Sequence, residues 1–335
     1  MRVRCVVLST DQESYQRFRQ TAMVLDERRH LDPALTLLID ARQREAQSLG
    51  SSWVGPWQLK PLDQGFNELQ QTDAIIDASI LKNGDSLAGF YEQYSLTRPV
   101  IRQSGTYPAY HSLAPPFEPR LQADAPHQYR QGDCLVSGVV PVLHAFRGDL
   151  QHVLMIVAIQ KQQRLNDYTL RSNLEEFRID CRLNAMVERY LRDLMPTTAF
   201  RVKTIQVPGH DYYLCDCEMT LRNTIPYDDL IDRLRQQPRL ALLFSPMPIS
   251  TSALQHLIHE QRTENGIPLQ PIICFAHRDH LNIDGPQCTL RFAIYSKAIT
   301  VLPNIDSARA LCTRMPMINA MRRTDEYAGF ASNVL

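Results

Sequence analysis

"TDAIIDASILKNGDSLAGFYEQYSLTRPVIRQSG", residues 72–105, decides the fold. Its first part, "TDAIIDAS" (72–79), has the length and apolar content of a buried strand. "GDSLAGFYEQYS" (84–95) reads as a helix behind it, and "RPVIRQSG" (98–105) as a second strand ending in Gly105. Towards the start of the chain the same alternation continues. "RVRCVVL" (2–8) reads as a strand, and Ser9 or Thr10 can cap a helix that carries Tyr15, Phe18, Ala22 and Leu25 on one face. "ALTLLID" (34–40) is a further strand. Strand, helix and strand joined by short connections predict an α/β fold built on a Rossmann-like, doubly wound parallel sheet. Such sheets bind ligands at the carboxyl ends of their strands, here near Ser9, Asp40, Ser79 and Gln103.

Towards the other end the texture changes after about residue 108. "YPAYHSLAPPFEPRLQADAPHQY" (107–129) has five prolines and no sustained period, so it reads as a connecting segment. Cys134 opens the second half. There, longer strands ("HVLMIVAIQ", "DYYLCDCEMTL", "CTLRFAIYS") alternate with amphipathic helices around 184–195, 227–236 and 252–262. This predicts an α+β half with a largely antiparallel sheet and helices on one face. "LPNIDSARALCTRM" (302–315) reads as a loop leading into a last helix.

Composition narrows the classes. The chain of 335 residues has room for two domains, and 44% hydrophobic with 21% charged residues is the balance of a globular protein. Thirty-six basic residues match thirty-six acidic ones, so no global field recruits nucleic acid or an anionic membrane. The longest apolar runs, "VLMIVAI" (153–159) and "LALLF" (240–244), have strand length rather than membrane-span length. The start, "MRVRCVVLS", lacks the pattern of a signal peptide, and a cytoplasmic location is expected. The eight cysteines are scattered singly, apart from Cys215-Asp216-Cys217, and do not read as a disulfide framework.

Three stretches bear on chemistry. In "GDCLVSGVV" (132–140) Cys134 stands where a helix opens, and a helix N-terminus favours thiolate and can hold an oxyanion. Ser137 and Gly138 would let a substrate approach the backbone, whereas Pro141 would kink or end the helix early. Read locally, Cys134 is either a nucleophile or a small core residue. The turn after the first strand, "LSTDQESY", has none of the glycines of a dinucleotide-binding turn, and Asp11 and Glu13 place negative charge where a pyrophosphate would sit. Asp40 can hold a ribose or cap a helix. In "VPGHDYYLCDCEM" (207–219), Tyr213, Cys215 and Cys217 alternate on one strand face after His210. No second pair of ligands stands at zinc-site spacing, so no metal is expected.

Taken together, "DAIIDAS", "PVIRQSG", the cysteine opening a helix, "VKTIQVPGHDYYLCDCEMTL" and "AITVLPNIDSARAL" follow an order similar to that of archaeal-type glyceraldehyde-3-phosphate dehydrogenases. The ending, Leu302-Pro303-Asn304-Ile305-Asp306 with Arg309-Ala310, carries the resemblance furthest. The resemblance implies a nucleotide-binding-type domain over 1–133, completed by a C-terminal helix over 304–335, and a catalytic domain over 134–303. It also implies a dimer or tetramer built on the sheet of the catalytic domain. Cys134 and Gly138 match the family's catalytic cysteine and the glycine of its Cys-Asn-Thr-Thr-Gly motif, which makes Cys134 the implied nucleophile. The departures are as informative. The three family glycines fall at Ser9, Asp11 and Ser14, Tyr213 falls at the place of the catalytic histidine, and Cys215 at that of its neighbour. "RLNAMVERYLRDLM" stands where the family binds substrate phosphate.

Three functions remain in view. The first is thioester chemistry at Cys134 that passes an acyl group from a small-molecule or carrier-bound thioester, with His210, Tyr213 or His144 carrying the proton. The second is an NAD(P)-dependent aldehyde or acyl-thioester oxidoreductase with an unusual cofactor loop. It would use Ser9, Thr10, Asp40 and Ser79, and Asn304 for the nicotinamide carboxamide. The third is a catalytically silent scaffold. The acidic, glycine-free turn favours the first, and no cofactor is certain.

Overall fold

Four residues, Ala74–Asp77, are buried in a row with no alternation, as in a parallel strand covered on both faces. They belong to a chain whose computed structural model describes residues 5–9, 35–39, 52–54, 57–61, 71–77, 88–103, 111–119, 127–160, 178–179, 181–207, 212–243, 274–295 and 302–327. The helices expected after Ser9 and over 252–262 lie outside the described residues, as do Thr10, Asp40, Ser79 and His210. The described helices are α1 (Ala88–Tyr94), α2 (Cys134–Ala145), α3 (Cys181–Leu194), α4 (Tyr227–Arg235), α5 (Leu302–Thr313) and α6 (Met317–Tyr327). The chain packs as two units, one of Met1–Asp133 with Thr300–Phe330, the other of Cys134–Ile299 with Ala331–Leu335.

In the first unit, β1 (Cys5–Ser9), β2 (Leu35–Ile39), β3 (Ser52–Val54), β4 (Trp57–Pro61), β5 (Ala74–Asp77), β6 (Val100–Gln103), β7 (His111–Leu113) and β8 (Gln128–Gln131) form one sheet. Their order is β3-β4-β2-β1-β5-β6-β8-β7, and every pairing is parallel except β3 with β4 at the edge. The chain steps outward from β1 in both directions, to β2 on one side and β5 on the other, which is the doubly wound arrangement. The crevice rule places ligands beyond the carboxyl ends of β1 and β5. Asp77, at the end of β5, lies directly opposite Arg102 on β6, with carboxylate and guanidinium 3.9 Å apart. Arg102 also covers the ring of Tyr91 on α1 at 4.7 Å, so the charged pair is closed in by the helix that joins the two strands.

Two readings of this half need correction. The proline-rich stretch is not a bare connection, because β7 lies within it and β8 starts at its end, and the two pair in parallel with each other and, through β8, with β6. At three and four residues these strands are too short to register as a period. Residues 302–315 are not a loop before a helix, because α5 starts at Leu302. Pro303 stands in its first turn, where its fixed φ suits the helix and its missing N–H costs nothing.

The second unit holds a mixed sheet of β9 (Leu150–Gln160), β10 (Arg178–Ile179), β11 (Ala199–Val207), β12 (Tyr212–Leu221), β13 (Leu240–Leu243), β14 (Cys274–Asp284) and β15 (Gln287–Tyr295). The order is β10-β11-β9-β12-β15-β14-β13; β11 with β9 and β13 with β14 are parallel, and the other pairings are antiparallel. Val202, Met155, Cys217 and Leu290 lie side by side across four strands, with Thr204, Val157, Cys215 and Phe292 in the next row, all buried. On this face Leu135, Val136, Val139, Val140, Val142 and Leu143 bury the helix α2 almost all round, the condition of a core helix. The helix carries Pro141 in its interior and still runs to Ala145, so the proline does not end it.

At the edge of that sheet, α3 has a second task. Asn184 Oδ1 accepts bonds from the backbone N–H (2.8 Å) and hydroxyl (2.6 Å) of Thr204, and Glu188 Oε1 accepts from the N–H of Val202 (2.9 Å). One side-chain pair at i, i+4 thus closes β11 donors beyond the reach of the two-residue strand β10, which meets only Ile205 and Gln206.

Candidate active site

Cys134 is the first residue of the twelve-residue α2, and it is half-buried where its helix neighbours are sealed. A helix of this length directs unpaired backbone N–H character and positive dipole charge at its opening turn. The sulfur lies 3.0 Å from Tyr213 Oη. Local packing explains this meeting. Gly138, four residues on and so on the same face of α2, sits against Ile294 of β15; a Cβ there would collide with Ile294 Cγ2 and lie 3.0 Å from its Cδ1. Ile294 is the direct cross-strand partner of Tyr213. The row Cys134–Gly138 on the helix therefore rests on the row Tyr213–Ile294 on the sheet, and the thiol meets the phenol.

The same contact corrects the reading of Gly138 and Ser137 as room for a substrate. The space beside Gly138 is filled by Ile294, and Ser137 is buried, so both serve close helix–sheet packing. Glycine is required at 138 because the helix approaches the sheet within a methyl group.

His144 lies ten residues further along α2, about 15 Å up a helix rising 1.5 Å per residue, so it is not placed to serve the thiol. Its Nδ1 is 2.7 Å from Gln237 Oε1. Burial lowers its pKa from the ordinary imidazole value, with Arg147 adding to the effect and the Gln237 bond opposing it. Cys215 and Cys217 face the interior rows described above. Burial raises the Cys217 thiol well above its ordinary range and Cys288 to about 12, so both stay protonated at neutral pH. In the first unit Cys312 is likewise pushed up to about 12, by burial and by Asp73. Of Cys134, Cys215, Cys217, Cys288 and Cys312, Cys134 is the one that joins a helix start to a polar partner and partial exposure.

Of the residues expected near a nucleotide, Ser9 is the last residue of β1, one beyond the strand read over 2–8, and Asn304 is buried in the opening turn of α5. Two neighbours carry no motif that could have announced them. Ser307 donates to Gln131 Oε1 at 2.8 Å, and Gln131, the last residue of β8, keeps its Nε2 buried with no acceptor among the described residues. An amide N–H₂ with no acceptor among the described residues, at the carboxyl rim of a parallel sheet and tied through its oxygen to α5 one turn after Asn304, suits the carboxamide oxygen of a nicotinamide. The residues present fit that group at this one point.

No family model matches the sequence. Over 134 residues the chain is 26% identical to glyceraldehyde-3-phosphate dehydrogenase of Archaeoglobus fulgidus, a match that spans 40% of this chain and only 37% of that protein. Among solved structures, the fold is similar to aspartate semialdehyde dehydrogenase II from Vibrio cholerae, with a TM-score of 0.64 and 10% identity over 97% of this chain and 99% of that one. The same enzyme complexed with ASA gives a TM-score of 0.65 and 9% identity over 96% and 99%. The chain thus has the Rossmann-like fold of these dehydrogenases along nearly its whole length.

Proposed function

We propose that the protein is an NAD(P)-dependent oxidoreductase acting on an aldehyde or acyl thioester through a covalent thioester at Cys134. The observation that carries this reading is the 3.0 Å approach of Cys134 Sγ to Tyr213 Oη at the opening of α2, in a chain of dehydrogenase fold. In the aldehyde direction, the thiolate of Cys134 adds to the carbonyl carbon and the carbonyl electrons move to oxygen. The helix start and the Tyr213 hydroxyl stabilise that oxyanion, since a phenol donates a hydrogen bond at neutral pH. Expulsion of hydride from the same carbon leaves a thioester on Cys134, which a nucleophile then cleaves to regenerate the thiolate. A nicotinamide nucleotide, when bound, supplies the hydride acceptor; Gln131 and Asn304 would hold its carboxamide.

Acyl transfer without a redox step is the second reading, and the acidic, glycine-free turn at Ser9–Ser14 favours it. The two part cleanly by experiment. NADH or NADPH fluorescence is expected to titrate saturably, and intact mass after incubation with aldehyde and NAD(P)⁺ to show an acyl adduct absent from Cys134→Ala. Tyr213→Phe is expected to lower kcat roughly 10- to 100-fold with a smaller change in KM, the scale of a lost proton-handling or oxyanion-binding group. An adduct formed from an acyl thioester with no nucleotide binding would transfer the case to the second reading. An inert Cys134 would end both.

A further inference from the structure

Strand β8 ends on a residue that is held from both sides. Gln131 is paired with Gln103 of β6 and with Leu113 of β7, and the N–H of Gly132, next along the chain, donates to the Leu113 carbonyl at 3.0 Å. The side chain of Gln131 therefore leaves the sheet from a fixed point on its carboxyl rim. Helix α5 lies over it. Cys312, near the end of α5, donates to the carbonyl of Asp73 (3.5 Å), directly before the start of β5 at the amino rim. Ser307, in the first half of α5, reaches Gln131 at the other rim, so the helix runs against the strands.

The contact between the two fixes more than a distance. Ser307 Oγ donates to Gln131 Oε1 at 2.8 Å, and the bond is sealed, with Gln131 1% exposed and Ser307 fully covered. An amide carries its oxygen and its nitrogen on opposite sides of one carbon, so holding the oxygen aims the nitrogen. Nε2 is thereby turned away from Ser307, and it is buried with no acceptor among the described residues. A buried donor in that state costs free energy until an acceptor reaches it. Turned end for end, the same amide would give its nitrogen to Ser307 and present an acceptor instead. The two settings call for opposite partners.

We infer that Ser307 is a positioning residue for the nicotinamide: its hydroxyl holds the Gln131 amide so that Nε2 donates to the carbonyl oxygen on the ring. Gln131 then reads that carbonyl and takes no part in binding the amide nitrogen beyond it. Ser307 touches no cofactor itself and acts only through Gln131. It has this role only if a nicotinamide nucleotide binds, as proposed for this chain.

Calorimetric titration of the full chain with NAD⁺ and NADP⁺ selects the tighter of the two. Its 3-acetylpyridine analogue, which keeps the ring carbonyl and lacks the amide nitrogen, and the matching ADP-ribose, which lacks the ring, are then compared with it. Ser307→Ala is expected to weaken the nicotinamide nucleotide and the analogue alike, about 5- to 10-fold, and to leave the ADP-ribose within about twofold. Gln131→Met, of similar volume and without the donor, is expected to lose as much, and adding Ser307→Ala to it should cost nothing further. A fall in ADP-ribose affinity in step with the others would make Ser307 a merely structural residue. A loss that vanishes with the analogue would mean that the amide stands the other way round. Unchanged affinity for the nicotinamide nucleotide in Ser307→Ala would overturn the role of Ser307 and leave the nucleotide reading intact. A parent chain that binds neither the nucleotide nor its ADP-ribose would end both.

Discussion

Gly138 is the residue on which the candidate site turns, because the thiol reaches Tyr213 only if α2 lies close on β15. A β-carbon at 138 would strike Ile294 at its branched Cγ2, and a β-branched side chain has few rotamers in which to retreat. Gly138→Ala is therefore expected to destabilise the protein by about 1–3 kcal/mol, the range for overpacked cores, in urea denaturation, and to cost less in an Ile294→Ala background, which lacks Cγ2. An unchanged midpoint would show that α2 can lift without cost. At this scale the sequence was partly legible. Alternation along β12 sets Tyr213, Cys215 and Cys217 on one face, as the strand period requires. Register in a family pattern could bring Tyr213 to the cysteine's neighbourhood. It could not disclose Gln131, whose importance comes from a missing acceptor rather than from any motif.

At the scale of elements, apolar or alternating strands such as β5, β9, β12 and β15 were legible, whereas the short β7 and β8 and the long but polar β14 were not. Parallel neighbours, not local pattern, make strands of β7 and β8. The opening of α5 was missed for a different reason: Pro303 and Asn304 are turn residues by habit, and both also suit a first helical turn. The stretch "RLNAMVERYLRDLM" looked like an unrelated replacement, yet Asn184 and Glu188 within it seal the edge of β11. Helix α6 depends on a remote cap in the same way. The N–H of Met317 donates to both carboxylate oxygens of Glu118, at 2.9 and 3.0 Å. Glu118→Ala is expected to cost about 1 kcal/mol, as for other lost N-terminal caps, measurable as a lower urea midpoint for the first unit. Glu118→Gln, which keeps one acceptor oxygen, should retain part of it.

For the whole molecule, acidity is the simplest global probe. His111 in the first unit and His144 in the second both have their pKa lowered from 6.5, chiefly by burial; His127 adds to the effect on His111. Each imidazole is thus easier to protonate in the unfolded chain than in the folded one. Below pH 6.5 the unfolded state binds the extra protons, and the stability each histidine confers at neutral pH is lost as the pH falls towards the folded value. The melting temperature is expected to drop between pH 7.5 and 5.5, and less so in a His111→Gln variant, by scanning calorimetry. A flat profile across that interval would contradict the burial of both rings. No helix among the described residues is long and apolar enough to cross a membrane.

The two units also differ in how they are threaded. One is almost wholly contiguous from Cys134 to Ile299, while the other is made of a first segment and a return near the end. A ribosome therefore delivers all but the last five residues of the contiguous unit before it delivers α5 and α6. During synthesis the parallel sheet must wait, its flank over β5 and β6 uncovered, until the last helices emerge. A released chain truncated after Ile299 should accordingly resist protease over the later-encoded unit and be cleaved in the earlier-encoded one.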